Sequence, residues 1–210
     1  MYFRDGFQQT TPLGFMNTGT LCEIALKYKS FREILKMKAI GTITTKAIYS
    51  DANRFYRYYL EKSAVDKVEG RQKTATIIML NPSYANEYKL DLSIMKVFNM
   101  LLDKGYTTLR VVNLFAFVAP KHSALVSTIA NTGRRNDKWI TKAFKNIDLL
   151  IIAWGSDENK YKKRKCEVHK IIKNINKKEK PKQIKCFIDE QKRKGRHPSR
   201  LGELKLVDYS

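Results

Sequence analysis

Two rhythms of apolar residues run along this chain and divide it into elements. From 42 the segment TITTKAIY, the turn-forming SDAN and then RFYRYYLEK (54–62) alternate apolar and polar positions, which predicts a β-hairpin. Beyond a polar connection over 63–73 come short, continuously apolar runs rich in β-branched residues: TIIML (76–80), LRVVNLFAF (109–117), LLIIA (149–153) and IKCFI (184–188). Between them the period lengthens to that of a helix. SIMKVFNMLLDKG (93–105) starts with a capping serine, Ser93, aligns Ile94, Val97, Phe98, Leu101 and Leu102 and stops at Gly105. NDKWITKAFKNI (136–147) aligns Trp139, Ala143, Phe144 and Ile147. The lysine-rich 161–178 aligns Val168, Ile171, Ile172 and Ile175. A further helix is predicted over 21–40.

Apolar strands joined by helical crossovers predict a parallel sheet covered on both faces. The expected fold class is α/β: a three-layer sandwich with a central parallel four-stranded sheet, plus an N-terminal helix and the hairpin. Residues 1–40 would form a helical extension and 41–210 a single α/β domain. In an open parallel sheet, ligands bind beyond the carboxyl ends of the strands. Unusual residues stand at those ends: Asn81-Pro82-Ser83-Tyr84, Asn113, Trp154-Gly155 and the loop with His197-Pro198-Ser199.

Charge narrows the set of partners. The net charge is +21, and 156–200 carries 17 Lys/Arg against 6 Asp/Glu, or +11 of that total. Such clustering points to a polyanion, with nucleic acid first and an anionic membrane surface second. A general lysine bias of composition is the competing explanation. No apolar run approaches the ~18 residues of a membrane span. Cys22, Cys166 and Cys186 lack metal-ligand spacing, and their odd number leaves one unpaired, so reduced thiols in a cytoplasmic setting are expected. No metal or cofactor is called for.

The stretches SDANRFYRYYLEK, IMLNPSYAN, DLSIMK, GYTTLRVVNLFAF, GRRNDKW, IIAWG and GRHPSR, in that order over about Ile48 to Leu206, resemble the family catalogued as domain of unknown function 1643. The order of a strand with Asn-Pro, a strand with Asn, a strand with Gly and a late His-Pro-Ser loop also resembles the layout of the uracil-DNA glycosylase superfamily. That second resemblance implies a glycosylase-like sandwich and assigns roles. Asn81 would hold the attacking water, in place of the aspartate of other branches. Asn113 would read a pyrimidine edge, and His197 would stabilise the departing base. Leu201, four residues after His197, would enter the duplex as a wedge. The aromatic that stacks on the base is not identified by it; Phe115, Phe117, Tyr84 and Tyr88 are candidates. The hairpin has no counterpart in the minimal glycosylase core.

The chemistry suits those residue types. A base must leave the stack to be reached, at a few kcal/mol, and an inserted leucine would offset part of that. Pro198 would stiffen the loop while Arg196, Arg200 and Ser199 hold phosphates. A neutral imidazole at His197 can donate to the base as it takes on negative charge, and neighbouring arginines favour the neutral form. The Asn113 amide offers both donor and acceptor. Asp91 is either the N-cap of the 93–105 helix or a carboxylate that supports catalysis. Ser83, in the place where the uracil-specific branch has a bulky tyrosine, would admit a larger, modified pyrimidine, including those of phage DNA. The leading expectation is therefore a cofactor-free DNA glycosylase. A non-catalytic nucleic-acid-binding module and a hydrolase or transferase of free nucleosides or nucleotides remain as alternatives.

Overall fold

The computed structural model describes residues 41–50, 52–65, 72–83, 85–89, 91–118, 129–157 and 159–209. The helix expected over 21–40 lies outside the described residues, as do Tyr84 and His122. Seven strands form one sheet: β1 (Ile43–Tyr49), β2 (Arg57–Ala64), β3 (Thr74–Met79), β4 (Thr108–Asn113), β5 (Leu149–Ile152), β6 (Gln183–Ile188) and β7 (Lys205–Asp208). Their order is β1-β2-β4-β3-β5-β6-β7. The described helices are α1 (Leu92–Asp103), α2 (Ile129–Thr132), α3 (Asn136–Phe144) and α4 (Lys162–Asn174).

The expected four-stranded parallel sheet is corrected. The sheet is seven-stranded and mixed: β4/β3, β3/β5 and β5/β6 pair parallel, while β1/β2, β2/β4 and β6/β7 pair antiparallel. The physical reason lies at the edges. The outer sides of β4 and β6 would expose unpaired N–H and C=O groups. The hairpin does not stand apart but lays β2 along β4, and Lys205–Asp208 covers β6.

Successive residues of the apolar runs face opposite sides, which is why those runs are apolar throughout. Ile78, Val112 and Leu150 pack with Ile140, Ala143 and Phe144 of α3 and with Val168 of α4. Ile77, Val111 and Ile151 pack with Ile94, Val97, Phe98 and Leu101 of α1. The parallel strands β4, β3, β5 and β6 send their carboxyl ends to one edge, and β4 stops at Asn113. Leu114, Phe115 and Ala116 continue as buried chain, held to β3 by Leu114 N–H on Met79 O (2.9 Å) and Phe115 N–H on Leu80 O (3.0 Å).

Candidate functional site

Two loops meet beyond β5 and β6. Gly155 follows β5 at φ +107°, and Gly195 precedes the histidine loop at φ +75°. Gly155 N–H donates to Gly195 O at 2.9 Å. A Cβ on Gly195 would come within 3.3 Å of the Gly155 carbonyl oxygen, so the close approach favours glycine there. Arg196 fastens the junction by donating to Ser156 Oγ at 3.1 Å. Its Nε also lies 3.0 Å from Asp189 Oδ2, a close ion pair whose N–H is not aligned as a hydrogen bond.

This junction walls a cavity of about 320 Å³ lined by Leu80, Trp154, Tyr161, Lys160, Lys165, Arg196, His197, Ser199 and Arg200, with Asp157 its one carboxylate among the described lining residues. Pro198–Arg200 is a turn of 3-10 helix, entered through His197 in extended conformation. The Ser199 backbone N–H donates to His197 Nδ1 at 3.3 Å, and Ser199 Oγ lies 2.8 Å from the same nitrogen. A backbone N–H can only donate, so Nδ1 is the acceptor and the neutral ring carries its hydrogen on Nε2. The cavity is cationic and has aromatic walls. Tyr161 is half-buried and sits at φ +59° in the left-handed region at the start of α4. It packs edge-on to buried Phe115 at 5.0 Å, while Lys160 Nζ lies 5.5 Å from its ring centre.

A second cavity, about 450 Å³, adjoins the first and shares Trp154, Gly155, Ser156 and Lys165 with it. Lys162, Arg193 and Lys194 add charge, and His169 and Tyr209 stack at 5.7 Å. Burial, reinforced by Lys173 and Lys165, holds His169 below the usual histidine pKa, so it is neutral at pH 7.

The remaining expected residues occupy other places. Asn81 is buried, follows the cavity-lining Leu80 and donates from Nδ2 to Pro82 O at 3.1 Å. Asp91 caps α1, accepting from Ile94 N–H at 2.8 Å and from the Ser83 hydroxyl. The Asn-Pro-Ser turn is thereby tied to the helix, and Ser83 is a brace rather than an open pocket wall. Asn113 is 1% exposed, and its Nδ2 meets no partner among the described residues. Phe115 backs Tyr161 and does not line the cavity, whereas Tyr88 is exposed. Leu201 corrects the expectation of an exposed wedge. It is 7% exposed and joins the apolar layer of α1, because the 3-10 turn before it reverses the chain inward. Lys96 Nζ donates to its carbonyl at 3.0 Å.

Trp154, read as a station at the strand ends, lines the cavity, and sequence reasoning missed two further residues. Tyr161 supplies the cavity's other aromatic wall. The second is Arg57. A register shift between Ile48 and Tyr49 in the β1/β2 pairing leaves Tyr58 of β2 without a partner in the ladder, a bulge next to Arg57, and bulges re-aim side chains. Arg57 is 2% exposed and donates from Nη1 to Ala85 O, while Nη2 meets no partner among the described residues. Burial pulls its guanidinium below the usual value, opposed by Tyr49 and Asp91. No described residues form a cluster of three or more His, Cys, Asp or Glu placed for a metal. No described helix is long and apolar enough to cross a membrane.

Residues 57–199 match the model of a family described as protein of unknown function (DUF1643), a span that runs from the start of β2 to the histidine loop. Neither the curated proteins nor the solved structures contain a match to this chain.

Proposed function

Because this chain belongs to the DUF1643 family, whose description names no activity, we propose from its site a DNA N-glycosylase that takes an extruded pyrimidine base into the 320 Å³ cavity. One observation carries this reading: an imidazole with its Nε2 hydrogen fixed by Ser199, in a cationic cavity beside a tyrosine and a tryptophan. Base rings stack on aromatic walls, and cations hold the flanking phosphates. The likeness of the Asn-Pro, Asn, Gly and His-Pro-Ser stations to the uracil-DNA glycosylase superfamily supports the same chemistry.

In this reading water attacks the sugar C1′ as the glycosidic bond breaks. The bonding pair leaves with the base, and His197 Nε2–H donates to a base oxygen as its charge grows. By the same likeness Asn81, which follows the cavity-lining Leu80, would hold the water. The water's proton passes to solvent. Tyr161 takes the stacking role, and Lys160 and Arg200 the phosphates.

The burial of Leu201 favours a second reading, hydrolysis of free nucleotides, for which no duplex has to be opened. End-labelled DNA containing modified pyrimidines, treated with alkali after incubation, separates the two. The expected result is strand cleavage at the modified base, slowed about 10²–10³-fold in His197→Ala with folding retained. Release from nucleotides but from no DNA would establish the second reading, and unchanged rates in both Asn81→Ala and His197→Ala would end the glycosylase proposal.

A further inference from the structure

The second cavity has no part in the chemistry above, yet it is the larger of the two and its described lining contains no carboxylate. Its cations come from two separate segments: Lys162 and Lys165 from the first turn of α4, Arg193 and Lys194 from the loop after β6. Among the described residues no side chain caps α4, a helix of 13 residues, so its positive end adds to those charges. The stacked His169 and Tyr209 rings stand nearly perpendicular to Trp154 and give this cavity its own aromatic surface. Gly155 borders both cavities, and a Cβ there would meet nothing within 4 Å.

We infer that the second cavity is a subsite for the adjoining nucleotide of a single nucleic-acid strand, which crosses at Gly155 with its phosphodiester on the Lys162 and Lys194 side. This rests on the first cavity's holding a nucleotide base. A mononucleotide would fill one cavity and leave the other empty. A strand engages both, so the substrate class is polynucleotide rather than free nucleotide. Single-strand engagement also fits a chain whose Leu201 is packed inward.

The test uses calorimetric titration of the full chain with a thymidine hexanucleotide and with thymidine monophosphate across a salt series. Lys162 and Lys194 are exposed, so the Lys162→Ala/Lys194→Ala double variant should melt like the parent. It should bind the hexanucleotide roughly tenfold more weakly at low salt, with a log K against log salt slope about 1.4 shallower, as for two lost phosphate contacts on a single strand. Its affinity for the monophosphate should stay within about twofold. Unchanged hexanucleotide affinity and slope, or equal weakening toward both ligands, would overturn the subsite. Tyr161→Ala tests the first cavity separately: it should weaken both ligands. Undiminished monophosphate binding in that variant would count against the base pocket alone, and the subsite would still be decided by the two lysines.

Discussion

Gly195 shows how much of this site hangs on single backbone positions. Its φ of +75° places it in the left-handed region, and a Cβ there would press to 3.3 Å of the Gly155 oxygen. Gly195→Ala should therefore cost about 1–2 kcal/mol in urea denaturation. Gly202→Ala is the control: a Cβ at Gly202 meets nothing within 4 Å, so its change should stay within about 0.5 kcal/mol. Equal effects would mean that the Gly155–Gly195 junction is not what selects glycine. The same scale explains the His-Pro-Ser triplet. Proline sits at the start of the 3-10 turn, where its fixed φ suits the geometry, and the turn brings Ser199 N–H back onto His197 Nδ1. What the triplet sets is thus which ring nitrogen carries the hydrogen. The sequence showed a loop stiffened by Pro198 and assigned Ser199 to phosphate; that Ser199 N–H folds back onto the ring was not legible in it. Nor was the burial of Leu201, because four residues of spacing do not say which way a turn directs the next side chain.

Among the elements, α1 was the most readable by its apolar period, but Ser93, expected to cap it, lies inside the helix, and the cap is Asp91. Asp91 receives Ile94 N–H and the Ser83 hydroxyl. Asp91→Ala should destabilise the fold by about 1–2 kcal/mol, and Asp91→Asn by much less, because an amide oxygen still caps. Chemical denaturation checks this; a loss of base release in Asp91→Ala with stability unchanged would make the carboxylate catalytic instead. The hairpin was legible as two strands and a turn, but its partner was not. Alternation along 42–62 says that β2 has a buried face, not that the face continues the β4 ladder. The bulge that turns Arg57 inward was invisible for a related reason: it is a mismatch in pairing between two strands and leaves no mark on either one's pattern. Tyr161 was hidden differently. It reads as the first residue of a helix, and only its left-handed φ and its seat against Phe115 make it a cavity wall.

At the scale of the whole molecule, charge was the clearest signal in the sequence, and seven lysines and arginines line the two cavities. A net +21 on 210 residues repels itself in the compact state. Several cations are locally compensated: Arg164 pairs with Asp137 and Glu167, Arg193 with Asp189 and Lys182 with Asp148. Those pairs are too few to offset the excess, and most are at least partly exposed, so each contributes little. Added salt should then act on this protein in two opposite directions. By screening self-repulsion it should raise the melting temperature, and each 1 kcal/mol gained is worth roughly 2–4 °C in a chain of this size. By removing the entropy gain of counterion release it should weaken nucleic-acid binding steeply. A melting series and an oligonucleotide titration in the same buffers, from about 0.05 to 0.5 M sodium chloride, check both limbs. If the melting temperature falls as salt rises, attractive pairs dominate the surface and the excess positive charge is not a cost that a polyanion relieves. If it rises while binding weakens, the charge that strains the isolated chain is the same charge that holds its partner.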